Sequence, residues 1–267
     1  MPASDGAGVK LTRIIGTQRL PDLDPFLMLD EFRSDAADDY LAGFPDHPHR
    51  GFETVTYMLA GRMRHSDNQG NTGLLRPGSL QWMTAGRGIV HSEMPEQEDG
   101  LMWGFQLWVN LPAKDKMTTP RYQDIQPESI SMVTLDNNTQ VKVIAGTYGG
   151  ARGPIVADST DPTYLDIALP ANATFSHSLP ANYSAFVYVF EGNGDITIGN
   201  APILRNQIAV LGTGDTVSIS GGNSPARLLL IAGRPLREPI VKYGPFVMNT
   251  AEEIQQAIAD FQSGRLA

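Results

Sequence analysis

Two short motifs carry the clearest chemical signal in this 267-residue sequence. They are His47-Pro48-His49 and His91-Ser92-Glu93. Side chains two positions apart on a β-strand point to the same face, so each motif presents two possible metal ligands together. If the motifs lie on neighbouring strands of a small barrel, three imidazoles and one carboxylate converge inside it. We therefore predict that these four side chains hold one metal ion.

The energetics favour this interpretation over a chance pairing. Each ionisable group buried without a partner costs roughly several kcal/mol, whereas the net stability of a domain is only about 5–15 kcal/mol. A shared cation removes that conflict. The chain has 5 histidines, and three of them fall in these two motifs. The alternative is that His-x-His is an ordinary surface pair.

The composition narrows the possible kinds of site and partner. The chain has no cysteine, which excludes thiolate metal sites and cysteine nucleophiles. The formal net charge of -9 argues against direct binding of nucleic acid. No stretch approaches the roughly 20 apolar residues of a membrane-spanning helix, and the first residues do not resemble a signal peptide. We expect a cytoplasmic protein.

The elements that would position the motifs are short strands. Apolar and β-branched segments such as Thr54–Leu59 and Phe105–Val109 are separated by Gly- and Pro-bearing turns, a pattern typical of barrels and sandwiches. One helix is predicted over 250–263, with Asn249 or Thr250 as its N-cap.

A weak internal repeat predicts two similar barrels in tandem. Val55–Gly61 resembles Phe186–Gly192, and Leu74–Met83 resembles Val210–Ile219. We predict an all-β protein with an N-terminal metal-binding barrel over 1–122. A second barrel without metal ligands would span 123–267 and include the helix.

Longer motifs resemble those of a known family. His47 and His49, followed by Glu53 and Gly61, resemble the first metal-binding motif of the cupins. The agreement extends to motifs of the pirin family over nearly the whole chain, in the segments Gly43–Thr54, Leu80–Pro95, Gln106–Pro112, Arg237–Ile240 and Gly244–Thr250.

This resemblance implies a bicupin fold with one metal in the N-terminal barrel. The family's ligands correspond to His47, His49, His91 and Glu93. A standard cupin would use Glu53 instead, and the pirin pattern favours Glu93. Glu53 then becomes a hydrogen-bonding partner inside the barrel. The nitrogen and oxygen ligands suit Fe(2+), our first choice, as well as Mn, Ni, Co, Zn or Cu.

The second barrel lacks these ligands when the two halves are aligned. Matching Gly61 to Gly192 places Ser178, Pro180 and Ser184 at the first motif. Matching Gly78 to Gly214 places Arg227 and Leu229 at the second. His177 is predicted to face outward.

Five further residues are secondary candidates. His65 could help to bind substrate or could be an exposed strand histidine. The other four could line or support the pocket, although core packing explains the tryptophans equally well: Arg50, Trp82, Arg87 and Trp103.

The resemblance implies two possible functions. The first is a quercetin 2,3-dioxygenase that opens a flavonol ring with dioxygen, with Glu93 as general base. The second is a redox-sensing iron protein that modulates a transcription regulator or metabolic enzyme by direct contact. A metal-stabilised scaffold without chemistry is a third possibility. We expect a monomer.

Overall fold

The computed structural model describes residues 1–193 and 195–266, which form two compact units. The first unit combines Met1–Pro127 with the segment from Leu236 onward, and the second is Glu128–Pro235. The sequence placed the border between residues 122 and 123 and assigned the final segment to the second barrel. The structure instead returns that segment to the first unit.

The first unit contains eleven strands before the chain leaves it. They are β1 (Pro2–Asp5), β2 (Val9–Ile15), β3 (Phe26–Ser34), β4 (Phe44–His49), β5 (Phe52–Ala60), β6 (Met63–Asp67), β7 (Thr72–Leu75), β8 (Leu80–Thr84), β9 (Ile89–Pro95), β10 (Met102–Asn110) and β11 (Arg121–Ile125). Single 3-10 turns lie at Ala37–Asp39 and Ala113–Asp115. A third, Pro127–Ser129, falls where the chain enters the second unit.

These strands form two antiparallel sheets. The larger sheet has the order β1-β2-β3-β10-β5-β8-β11, and the smaller has the order β4-β9-β6-β7. Strands β3, β5, β8 and β10 are buried along most of their length, as expected for strands covered on both faces. The two sequence motifs lie on β4 and β9, which are neighbours in the smaller sheet.

The second unit repeats this arrangement with twelve strands. They are β12 (Ser131–Thr134), β13 (Gln140–Ala145), β14 (Thr147–Tyr148), β15 (Ala151–Arg152), β16 (Thr163–Leu169), β17 (Thr174–Ser178), β18 (Ser184–Glu191), β19 (Ile196–Ile198), β20 (Ala201–Ile203), β21 (Gln207–Val210), β22 (Thr216–Ser220) and β23 (Ala226–Gly233). The sheets have the orders β12-β13-β16-β23-β18-β21 and β17-β22-β19-β20, with a separate β14-β15 pair.

The strand orders show which parts of the two units correspond. The order β3-β10-β5-β8 matches β16-β23-β18-β21, and β4-β9-β6-β7 matches β17-β22-β19-β20. The predicted match of β5 with β18 agrees with this topology. The predicted match of Leu74–Met83 with Val210–Ile219 is wrong by one strand. It aligns β8 with β22, whereas the strand orders pair β8 with β21. Strands β8 and β22 each follow a Gly-bearing turn, and this local similarity in sequence caused the incorrect match.

The final segment packs against the first unit through an apolar cluster. It contains β24 (Val241–Tyr243), β25 (Phe246–Met248) and helix α1 (Ala251–Gln262). Thr250 caps the helix in a reciprocal capping box with Glu253, close to the predicted start. Ile254 and Ala257 on the buried helix face join Phe246 in the cluster, and Val90 of β9 packs against it. This contact explains why the helix belongs to the first unit.

The all-β prediction is confirmed, since both units are built mainly from β-sheets. Within residues 1–193 and 195–266, no helix has the length and apolar character needed to cross a membrane.

Candidate metal centre

Three histidines meet at the junction of β4 and β9. In the strand register His47 lies opposite His91, and His49 lies on the same side two residues further along. One nitrogen from each of the three rings falls within 4.8 Å of the others. His91 is fully buried, His49 is 3% exposed and His47 is half-buried. The structure therefore brings together three of the four predicted ligands.

The hydrogen bonds of His47 and His49 leave two lone pairs facing each other. The Nδ1 atom of His47 lies 2.7 Å from the carbonyl oxygen of Pro45, and that of His49 lies 3.4 Å from the carbonyl oxygen of Pro245. A carbonyl only accepts, so each Nδ1 carries a proton, and in the neutral form of each ring the Nε2 carries a lone pair. The two Nε2 atoms are 3.1 Å apart. A cation bound by both would relieve this repulsion.

The third imidazole also presents an unsatisfied nitrogen. Within the described chain the buried Nε2 of His91 has no hydrogen-bond partner, an arrangement that is costly unless a ligand occupies the position. Burial lowers the pKa of His49 and of His91 well below the usual range for histidine, and the neighbouring imidazoles lower it further. Both rings are therefore neutral at neutral pH, as metal ligands must be. These observations fit a bound metal.

Glu93 lies next to this group but is oriented by other contacts. It is 3% exposed on β9, and its Oε1 accepts a 2.7 Å hydrogen bond from Thr56 Oγ1 and another from Gln81 Nε2. Its carboxylate is not part of the three-histidine group. It nevertheless lines the same cavity as His47 and His49. Glu93 thus faces the cavity, while the hydrogen bonds from Thr56 and Gln81 hold its carboxylate in place.

Glu53, the other candidate carboxylate, has a different setting. It lies on β5 and its Oε1 accepts a 2.7 Å hydrogen bond from Thr84 Oγ1 on β8. It is 3% exposed, and burial raises its pKa even though the Thr84 bond opposes this. It does not line the cavity that Glu93 faces. The predicted role as a hydrogen-bonding residue inside the barrel agrees with these contacts.

His65 is buried beside the site, so the expectation of an exposed strand histidine is wrong. Its Nε2 lies 3.1 Å from Asp67 Oδ2, and its Nδ1 lies 3.5 Å from Nδ1 of His91. Its ring stacks on Tyr122 with 4.3 Å between centroids. Burial acts to raise the pKa of Asp67, but hydrogen bonds from Asn71 and His65 lower it. The sequence analysis missed Asp67, although His-x-Asp has the same spacing as the two recognised motifs.

The four other candidates support the unit from outside the cavity lining. Trp82 is fully buried in the core, and Trp103 donates a 2.8 Å hydrogen bond to Glu31. Arg50 forms a 2.8 Å ion pair with Asp260 of α1. Arg87 donates to Thr119 at 3.1 Å near the surface.

A cavity of about 1080 Å³ opens onto His47 and His49 and lies entirely within the first unit. Its apolar lining includes Leu11, Met28 and Trp108, and the Trp108 ring meets His49 edge-on at 5.3 Å. An ion pair between Arg13 and Asp30, 2.7 Å apart, adds charge to the wall. This size and mixed lining suit a small organic molecule that has both apolar and polar groups.

The corresponding position in the second unit is filled by apolar side chains. Strand β22, the counterpart of β9, places the buried Val217 and Ile219 opposite His177 and Phe175 of β17. His177 is therefore half-buried, not outward-facing, and it packs edge-on against Tyr148. The predicted counterparts Arg227 and Leu229 lie instead on β23. Among the residues described, the metal-type histidine group occurs in the first unit alone.

Comparison with known proteins identifies the family. The pirin family model matches residues 8–109, and the model of the pirin C-terminal cupin domain matches residues 164–267. A Pseudomonas aeruginosa protein, provisionally named quercetin 2,3-dioxygenase, is 52% identical over 100% of this chain and 95% of its own length. The chain belongs to the pirin family. A pirin-like protein of Caulobacter vibrioides is 53% identical over 99% of the chain and 95% of its own length.

A solved structure extends this relationship to the three-dimensional fold. The crystal structure of quercetin 2,3-dioxygenase from Acinetobacter baumannii has a TM-score of 0.90 and 33% sequence identity. The match covers 100% of this chain and 95% of that one. The predicted pirin resemblance and the tandem cupin fold are both confirmed.

Proposed function

We propose that this pirin-family chain is a metal-dependent dioxygenase that acts on quercetin-like flavonols in its first unit. The observation that carries the proposal is the three-histidine group, of which His47 and His49 line a cavity of about 1080 Å³. Relatives that bear the quercetin 2,3-dioxygenase name support the substrate class.

We assign His47, His49, His91 and Glu93 as ligands of a single metal. The three imidazoles offer ring nitrogens and Glu93 offers a carboxylate, which are ligand types that a divalent ion favours. Both hydrogen bonds to Glu93 end on Oε1, so we assign Oε2 as the ligand atom. The nitrogen and oxygen set suits Fe(2+), our first choice, and also Mn, Ni, Co, Zn or Cu. When bound, the metal supplies a Lewis-acidic centre for the flavonol oxygens and, if redox-active, promotes reaction with dioxygen.

The protein's own residues bind the flavonol and remove its proton. The apolar wall formed by Leu11, Met28 and Trp108 contacts the flat face of the flavonol and excludes water. Glu93 is a labile ligand in this proposal: its Oε2, the oxygen that Thr56 and Gln81 leave free, accepts the proton of the flavonol 3-hydroxyl as a general base. Dioxygen is the oxidant, and the flavonol ring is opened.

The redox-sensor hypothesis shares this metal site but needs no substrate cavity. The cavity beside the histidines therefore favours a small-molecule reaction. A protein partner, a monomeric state and a cytoplasmic location stay predictions from the sequence. Size-exclusion chromatography with light scattering would test the monomer.

The decisive experiment measures metal content and quercetin turnover together. Protein purified without a chelating tag is mixed with quercetin in air, and flavonol absorbance and oxygen are followed. We expect about one metal per chain with oxygen consumed as quercetin bleaches. His49→Ala should lower turnover by more than about 100-fold, beyond the range seen when residues that merely support a ligand are removed.

His177→Ala is the matched control, because it removes a half-buried histidine from the second unit. It should leave turnover unchanged. Normal turnover by His49→Ala would contradict the assigned metal role. Metal-loaded protein that does not bleach quercetin would favour the sensor hypothesis.

A further inference from the structure

A buried chain of polar groups runs away from the metal centre behind His91. The side chains of His65 and Asp67 are both fully buried on β6, two residues apart on one face. Strand β6 pairs with β9, so Asp67 lies opposite His91 and His65 lies opposite Glu93. The three side chains form a line from Asp67 through His65 to His91.

The position of each proton in this line follows from its neighbours. The carboxylate of Asp67 can only accept, so the Nε2 of His65, 3.1 Å away, must donate to it. In the tautomer that carries its proton on Nε2, His65 has its lone pair on Nδ1, which lies 3.5 Å from Nδ1 of His91. His91 must therefore carry its proton on Nδ1. Its Nε2 is left with a lone pair, and this is the buried nitrogen without a hydrogen-bond partner.

We propose that Asp67 and His65 are positioning residues that hold His91 in the tautomer whose Nε2 lone pair faces the metal. This proposal rests on the metal centre proposed above. A carboxylate commonly orients a metal-bound histidine directly. Here His65 lies between Asp67 and His91, so Asp67 orients His91 through the proton position on His65.

A simpler explanation is that Asp67 only shapes the turn between β6 and β7. Its Oδ1 accepts 2.9 Å hydrogen bonds from the backbone N–H groups of Gln69 and Asn71, and its Oδ2 accepts one from Asn71 Nδ2. These contacts organise the turn without involving the histidines. A test must therefore change the histidine contact while the turn is kept.

Asp67→Asn makes that change. The two backbone N–H groups require an oxygen at Oδ1, which also remains the acceptor for Asn71 Nδ2 at 3.2 Å. The new amide nitrogen therefore takes the place of Oδ2 and donates to His65. His65 must then carry its proton on Nδ1 and donate to His91, whose proton moves to Nε2 and blocks the ligand position. We expect the dissociation constant of the apoprotein for Co(II), followed by visible absorption, to rise by about 10–100-fold.

Asn71→Ala is the matched control, because it removes a side-chain donor to the same carboxylate and leaves the His65 contact in place. It should bind Co(II) like the wild type. His65→Phe is a second variant that keeps a ring against Tyr122 but removes the acceptor for His91. It should also weaken Co(II) binding, so it provides an independent test if Asp67→Asn does not fold.

A measurement on the metal-free protein separates this inference from the proposed activity. With only 5 histidines to label with ¹⁵N, long-range proton–nitrogen spectra at a pH of about 8 report which ring nitrogen is protonated. We expect His91 protonated on Nδ1 in the wild type and on Nε2 in Asp67→Asn. A wild-type His91 protonated on Nε2, or Co(II) affinities within about twofold for Asp67→Asn and His65→Phe, would overturn the proposal. Failure to bleach quercetin would contradict only the dioxygenase assignment.

Discussion

The two buried glutamates illustrate how environment assigns different roles to the same side chain. Glu93 and Glu53 are each 3% exposed. Glu93 lies on β9 beside the histidines and lines the cavity, whereas Glu53 hydrogen-bonds Thr84 elsewhere in the barrel. The difference comes from the strand that carries each residue, because only β9 pairs with β4.

Substitution of each glutamate by glutamine tests this division. Glu93→Gln removes the proposed anionic ligand while keeping an oxygen for the Thr56 bond. We expect its Co(II) affinity to fall by at least about 10-fold. Glu53→Gln should keep wild-type affinity, and isothermal titration of both apoproteins provides the comparison. Equal loss in the two variants would contradict Glu93 as the ligand.

The burial of Glu53 also leads us to expect a pH-dependent difference in stability between the wild type and Glu53→Gln. Burial raises its pKa, so the folded state favours the protonated carboxyl. The stability that Glu53 contributes is present at a pH below its pKa in the unfolded chain. It is lost as the pH rises through its pKa in the folded chain. Glu53→Gln cannot ionise, so its unfolding free energy relative to the wild type should increase as the pH rises above 4.5, the ordinary pKa of a glutamate. Urea denaturation of the apoproteins measures this, and a constant difference would count against the shift.

At the scale of elements, the returning C-terminal segment completes the first unit. Strand β25 bridges to the residue after His49, since Arg50 pairs with Phe246. The carbonyl of Pro245, in the turn before β25, accepts from His49 itself. An element about 200 positions later in the chain therefore fixes one of the candidate ligands.

Lys116 links the C-terminal segment to the barrel through hydrogen bonds, and its replacement tests how much this link contributes to stability. Its buried Nζ donates to the carbonyl oxygens of Gly51 (2.8 Å) and Val247 (3.0 Å) and to Asn110 Oδ1 (2.7 Å). Lys116→Met removes the buried donor shared by these three acceptors and leaves Asn110 Oδ1 with the Leu111 N–H, so we expect a loss of about 2–3 kcal/mol in unfolding free energy. Lys114→Met, at an exposed position two residues earlier, should change it by less than about 0.5 kcal/mol. Denaturant unfolding compares the two.

At the scale of the whole molecule, a repeated fold carries the site in only one of its two units. The strand orders of the units correspond, yet Val217 and Ile219 fill the interior of the second where β9 presents His91 and Glu93 in the first. Buried apolar side chains stabilise the second unit without a metal.

This asymmetry predicts the stoichiometry and the effect of metal on stability. Elemental analysis should find one metal per chain, and His177→Ala should not change that value. At a free metal concentration of about 100 times the dissociation constant, binding should stabilise the protein by about 2.7 kcal/mol. Calorimetry with and without metal checks the second value. Two equivalents of tightly bound metal would contradict a single site.

The sequence by itself determined the features that depend on local spacing. His-x-His and His-x-Glu specify which side chains share a face, because strand side chains alternate with a period of two. Turn residues and short β-branched runs indicated an all-β chain, and the capping residues placed the helix close to its observed bounds. The long family motifs added the tandem cupin fold and pointed to Glu93.

Only the tertiary structure decided the features that depend on pairing between distant segments. The burial of His65 and Asp67, the alignment of β9 with β22, and the return of α1 to the first unit all follow from strand register and long-range packing. The sequence pattern of a strand states which side chains point the same way. It does not state which strand lies beside it, because neighbours are selected by contacts between residues far apart in the chain.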